Sequence, residues 1–313
     1  MSPLTSRPGG NFFPIRVEGD VAISMAAGEH VARLETNCEG PTSVSTKSIP
    51  EGFPTLSTYF ALPGADRLID FLTATFGAEQ ITRAEHNGVV MNAEIKIGDG
   101  MVMIGDSHGR PASHKAMIYT YVPNADETYA LALKAGAKSL EEPTDQAYGD
   151  RRAAVEDFAG NQWWIATSLK GGMVTKAGGK ATSISPYLAV NDAQELMTFL
   201  KDGLGAVETD RAEHHGVVVN ASLRLGTSKL FVGDNRGTGE AFKTMFYMYV
   251  PDTDATYANA LKAGAKSIAA PSDQSYGDRR CAIEDQAGNQ WWIATRKEAP
   301  VAETTPRRES KQK

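Results

Sequence analysis

A chain of 313 residues, 41% hydrophobic and 22% charged, has the balance of a globular protein with room for two ordinary domains. Its net charge of -6 is spread over mixed acids and bases with no basic stripe, which argues against nucleic acid or an anionic membrane as a main partner. No apolar run approaches the roughly 20 residues of a membrane helix. Cys38 and Cys281 form neither a disulfide framework nor a metal-ligand spacing, so a reducing, cytoplasmic setting is expected.

In chain order, residues 1–49 are rich in Ser, Thr, Gly, Pro and Glu and carry neither a signal-peptide core nor an Arg-rich transit composition. They read as a disordered extension. A strand-like run at 57–62 leads into a helix with Leu68, Phe71, Leu72 and Phe76 at helical spacing, ending at Gly77-Ala78. His86-Asn87-Gly88 then reads as a hairpin turn between strands. A second strand-like run at 117–122 precedes a helix through Tyr129, Ala132 and Leu133, closed by Gly136-Ala137. The glycine-bearing linker 169–183 follows. After it the order repeats: strand 185–190, helix to Gly205-Ala206, hairpin at His214-His215-Gly216, strand 245–250, helix to Gly264-Ala265. Residues 297–313 are charged, contain proline, and read as a second disordered segment.

The repeat is the strongest signal. Residues 145–167 read DQAYGDRRAAVEDFAGNQWWIAT and residues 273–295 read DQSYGDRRCAIEDQAGNQWWIAT, identical at nineteen of twenty-three positions. The spacing is 128 residues, from Trp164 to Trp292, and it holds from Ser57/Ser185 through Asn92/Asn220 to Val122/Val250. Each copy is itself double, which makes four βαβββ units.

Four such units, with IPEG at 49–52, SPYLAV at 185–190, the repeated YGDRR and EDxAGNQWWIAT text and the two-stage Gly-Ala pattern, resemble the vicinal-oxygen-chelate or glyoxalase/bleomycin-resistance/dioxygenase superfamily, in its PhnB-like branch. The resemblance covers roughly residues 47 to 295. It implies an α+β fold in which four βαβββ units form two glyoxalase/bleomycin-resistance-type domains, 50–168 and 184–296, with curved mixed sheets. Such units pair into open cups, and relatives range from metal enzymes to proteins that sequester drugs, so the fold leaves function open.

Metal-using relatives place one ligand on each of four strands. By strand matching these positions fall on Ser57/Ser185, Met103/Phe231, Met117/Met245 and Trp164/Trp292. Trp cannot ligate a metal and Met suits a hard divalent ion poorly, so no metal and no other cofactor is expected. Strand alternation then turns Tyr59, Tyr119, Tyr121 and Trp164, with Tyr187, Tyr247, Tyr249 and Trp292, into the cups. That lining suits a flat, partly apolar organic ligand, although aromatic residues alternating on a strand also make ordinary cores. In the loops Tyr148-Gly149-Asp150-Arg151 and Tyr276-Gly277-Asp278-Arg279, the arginine could fork an anion or simply brace the loop against the aspartate. Asn92, Asn220 and Glu94 are the remaining polar candidates. Glu94, Asp150 and Asp278 are the candidate acids or bases. Asp157 and Asp285, each before an AGN turn, read as structural.

The reading is a metal-independent protein that binds a small, partly aromatic or anionic molecule, of the sequestering or resistance kind. The alternative is a metal-independent isomerase, lyase or cyclase. The missing ligands rank a metal-dependent lyase or dioxygenase below both. One chain is expected to act as a monomer with an internal pseudo-dimer, a weak homodimer being left open, and each cup to join the first unit of one repeat to the second unit of the other.

Overall fold

The computed structural model describes residues 48–50, 52–108, 114–170, 182–235 and 241–297. Most of the expected N-terminal extension, most of the linker, nearly all of the C-terminal segment, and Cys38 lie outside the described residues. The first unit contains β1 (Leu56–Leu62), α1 (Ala65–Phe76), β2 (Glu79–His86), β3 (Val89–Ile97) and β4 (Gly100–Asp106). The second contains β5 (Met117–Tyr121), α2 (Ala125–Lys134), β6 (Lys138–Asp145), β7 (Asp150–Glu156) and β8 (Gln162–Ser168). The third runs β9 (Ser183–Val190), α3 (Ala193–Leu204), β10 (Val207–His214), β11 (Val217–Leu225) and β12 (Ser228–Asp234). The fourth runs β13 (Met245–Tyr249), α4 (Thr253–Lys262), β14 (Lys266–Asp273), β15 (Asp278–Glu284) and β16 (Gln290–Arg296). None of these helices is long and apolar enough to cross a membrane.

Local chemistry sets the boundaries. The side chains of Asn124, Asp192 and Asp252 accept the backbone N–H three residues on and so start α2, α3 and α4. Gly77 and Gly205 take left-handed conformations that close α1 and α3. At the β2–β3 turn Asn87 and Gly88 both have positive φ, and His215 and Gly216 repeat this, which is the geometry a two-residue hairpin needs.

Two eight-stranded mixed sheets result, ordered β14-β15-β16-β13-β1-β4-β3-β2 and β10-β11-β12-β9-β5-β8-β7-β6. Each sheet therefore joins units from different repeats, through the antiparallel pairs β1–β13 and β5–β9. The helices pack the other way, inside each repeat. One core gathers α1, α2 and the strands of units one and two around Trp163, and the other gathers α3, α4 and units three and four around Trp291. Each repeat is thus held together by apolar burial, and the two repeats are joined by sheet hydrogen bonds. Where they meet, Lys115 N–H donates to the Lys243 carbonyl at 2.9 Å and Thr244 Oγ1 donates to the Lys115 carbonyl at 3.0 Å. A Cβ on Gly98 would lie 1.8 Å from the Thr182 carbonyl oxygen, and one on Gly226 would lie 2.2 Å from Thr55 Oγ1. Both glycines admit a close approach, Gly98 of the Thr182 backbone and Gly226 of the Thr55 side chain.

Candidate functional site

The concave face of each sheet carries a second, smaller cluster distinct from the helix-side core. In the first cup, formed by units one and four, it contains Met103, Tyr247, Tyr249 and Ala294, with Tyr59 and Trp292 partly buried beside them. In the second, formed by units three and two, it contains Met117, Ala154, Trp164, Tyr187 and Ala189, with Tyr119, Phe231 and Phe242 against them.

Strand register lines these side chains up. In the first cup one row runs Glu94–Met103–Tyr59 and a second runs Ser57–Tyr247–Trp292–Ala282. The second cup repeats them as Ser222–Phe231–Tyr187 and Ser185–Tyr119–Trp164–Ala154. Asn92 and Asn220 lie two residues before Glu94 and Ser222 on the same faces. Glu94 is half-buried and accepts a hydrogen bond from Thr82 Oγ1 at 2.7 Å. The pairing also places Tyr247 and Tyr119, rather than Met245 and Met117, in the row that joins the serine to the tryptophan. That two-residue difference follows from the parallel pairings β13–β16 and β5–β8, which strand matching along a single sequence does not reveal. Ser, Met or Phe, Tyr and Trp make a poor donor set for a hard divalent ion. Among the described residues no three His, Cys, Asp or Glu side chains cluster to hold one.

The DRR segments show where alternation decides roles. Asp150 and Asp278 open β7 and β15 and point into the cups, so the residue two further on, Arg152 or Arg280, does too. Arg151 and Arg279 face the other way. Arg151 donates to Asp126 Oδ1 at 2.7 Å and to Asp145 Oδ1 at 2.8 Å, tying α2 to the end of β6. Arg279 makes the same pairs with Asp254 and Asp273. These two arginines, expected as candidates for gripping a ligand, are thus engaged on the helix side. The sequence alone does not single out Arg152 and Arg280, because parity cannot be assigned until the strand start is fixed at the aspartate. Replacing Arg151 or Arg279 by alanine should lower the melting temperature while leaving ligand affinity intact at a permissive temperature. A parallel loss of affinity, measured by calorimetry, would contradict that placement.

Inside the cups Arg152 and Arg280 lie over the indoles of Trp164 and Trp292, each 4.6 Å from the ring centre. Tyr121 Oη donates to Asp150 Oδ2 at 2.7 Å. Tyr247 and Tyr249 both donate to Asp278 Oδ2, at 2.8 and 3.2 Å, and Arg296 pairs with its other oxygen at 3.0 Å. Burial pushes the Asp150 carboxyl above the usual aspartate range, against the pull of the Tyr121 and Tyr119 hydroxyls and of Arg152. Burial raises the Tyr59 phenol as well, and nearby Arg280 opposes that shift. Tyr148 and Tyr276 sit at the rims, 45% and 50% exposed. Tyr119 Oη lies 3.4 Å from Tyr148 Oη.

The two cups are not equally open. Trp164 and Tyr187 are 3% and 6% exposed, under Phe231 and Phe242, whereas Trp292 and Tyr59 remain half-buried. Phe53, from the segment ahead of β1, meets Tyr249 edge-on at 6.0 Å between ring centres and flanks the first cup. A cleft of about 320 Å³ at the junction of the two sheets borders the second cup at Tyr121 and Phe231.

Comparison with known proteins agrees with this architecture. A family model described as Glyoxalase/Bleomycin resistance protein/Dioxygenase superfamily matches residues 60–165 and 182–293. An uncharacterized protein of Mycobacterium bovis is 30% identical over 121 residues, 35% of this chain and 80% of its own length. An uncharacterized protein of Mycobacterium tuberculosis is also 30% identical over 121 residues, covering 71% of its length. Among solved structures, glyoxalase I from Zea mays superposes with a TM-score of 0.59 at 15% identity, over 76% of this chain and 92% of the maize chain. A putative dioxygenase from Bacillus subtilis gives 0.51 at 10% identity, over 76% and 83%. At these identities the structural likeness speaks for the fold alone.

Proposed function

Because the chain belongs to the glyoxalase/bleomycin resistance protein/dioxygenase superfamily, we propose that its two domains, 50–168 and 184–296, jointly form a small-molecule binder that works without a metal. The ligand is a flat, partly aromatic organic molecule held in a cup that the two repeats build together. The observation that carries this reading is the row Ser57–Tyr247–Trp292 beside Tyr59 and Met103 on one sheet face. Where metal-using relatives set ligands, this chain sets a serine hydroxyl, a thioether, a phenol and an indole, which offer stacking area and hydroxyl handles. Sequestration is the use such a cup serves most directly. Calorimetric titration with flat aromatic compounds tests it. Affinity should be unchanged after exhaustive chelation. Loss of binding on chelation, restored by Zn, Ni, Fe or Mn, would sink the reading.

Asp150 favours a second reading, a metal-independent isomerase, lyase or cyclase. A carboxyl raised by burial and hydrogen-bonded to a phenol can shuttle a proton near the ligand. On this reading Asp150→Asn abolishes turnover of a bound compound while leaving its affinity within about twofold. Turnover that survives Asp150→Asn would exclude Asp150 as the proton carrier.

A further inference from the structure

The cups are built from repeated sequence, yet two departures from the repeat decide which charge each leaves uncommitted. In the second cup Glu141 stands beside Arg152. Its carboxylate accepts from Arg152 Nε at 3.2 Å and from Nη2 at 3.0 and 2.9 Å, and the Arg152 side chain is only 8% exposed. The counterpart of Glu141 in the first cup is Ala269, which pairs with Ala282 at the end of the Ser57–Tyr247–Trp292 row. There Arg280 is half-buried over Trp292 and 5.9 Å from the Tyr276 ring, and among the described residues no carboxylate pairs with it. The reverse holds for the aspartates. Arg296 neutralises Asp278, while Ser168 stands at the matching position beside Asp150.

We propose that the first cup is an anion site, in which Arg280 grips the carboxylate of an aromatic ligand lying on Trp292, and that Glu141 denies this role to Arg152 in the second cup. The inference rests on the reading of the cups as ligand sites. A guanidinium 4.6 Å above the centre of an indole makes no hydrogen bond to that ring, so its N–H fork can serve a carboxylate. Half-buried with no carboxylate paired to it among the described residues, it gains from an anion that supplies one. Arg280 also acts electrostatically on the Tyr59 phenol, and Tyr59 lies on the same strand face as Ser57, whose row carries Trp292. Among the described residues the other charges nearby are hydrogen-bonded, paired or peripheral. Glu94 is held by Thr82, Arg296 by Asp278, and in the second cup Lys229 sits exposed over Phe231, 4.5 Å from its ring centre.

The four tryptophans make the test selective. Trp163 and Trp291 are fully buried on the helix side, so in Trp164→Phe the only cup tryptophan is Trp292, and in Trp292→Phe it is Trp164. Fluorescence titrations of these full-length variants use 2-naphthoate and its neutral isostere 2-naphthamide. In Trp164→Phe, naphthoate should bind at least about tenfold tighter than naphthamide, a preference that Arg280→Lys weakens because the fork is lost. Adding Ala269→Glu, at an exposed position that tolerates the larger side chain, should abolish the preference and leave naphthamide affinity unchanged. Trp292→Phe should report no naphthoate preference. An unaltered preference in Ala269→Glu, or a preference reported by Trp164, overturns the assignment. If naphthamide binds and naphthoate binds no better, the anion site alone fails. If neither compound reaches either tryptophan, the ligand-cup reading fails with it.

Discussion

Replacing Asp157 by alanine should destabilise the protein by roughly 3–5 kcal/mol, because it strips buried donors of their acceptor. The carboxylate accepts from the backbone N–H of Ala159 at 2.9 Å and of Asn161 at 3.0 Å, from Asn161 Nδ2 at 2.9 Å and from Trp163 Nε1 at 3.0 Å. Asn161 in turn accepts the Ala116 N–H at 3.0 Å, which ties the β7–β8 turn to β5. Trp163 stacks at 6.0 Å with Phe60 and lies 5.2 Å from Phe76, at the centre of the first repeat's core. One carboxylate thus fixes a turn, a strand junction and the largest core side chain. Asp157→Asn keeps one acceptor oxygen and should cost less. Urea denaturation measures both, and an alanine variant within about 1 kcal/mol of wild type would show that the turn does not depend on this network.

The two cup tryptophans should fail in different ways. Trp292→Ala should lower affinity for an aromatic ligand by at least about thirtyfold, since it removes the stacking surface and the support for Arg280, with a smaller effect on stability. Trp164→Ala should instead cost about 3–5 kcal/mol of stability, because Trp164 is enclosed by Met117, Tyr187 and Phe231 and its loss leaves a cavity. Denaturation and calorimetry on both variants distinguish these outcomes. Equal losses of affinity in the two would mean that the cups are equivalent, against the difference in their burial.

Much of this architecture is legible in the residues. The 128-residue repeat marks four units, the Asn87-Gly88 and His215-Gly216 turns announce their hairpins, and the sheets pair units across the repeats. Face assignment is less legible. A loop motif such as YGDRR does not say where the strand begins, and a one-residue difference in that start exchanges Arg151 for Arg152. The two-residue offset between Met245 and Tyr247 depends on pairing with a strand more than forty residues away. The Glu141/Ala269 difference lies outside the nearly identical stretch that draws the eye. Its signal in the sequence is a position where the two repeats disagree, since divergence between duplicated cups is where their ligands can differ.

Native mass spectrometry of the freshly purified full chain tests metal-independent ligand binding most directly, because it reports metal and organic ligand in one spectrum. The expected spectrum shows the chain carrying a small organic mass, unchanged by chelator and reduced by Trp292→Ala. Increments of one Zn, Ni, Fe or Mn per cup that disappear on chelation together with the organic mass would contradict it.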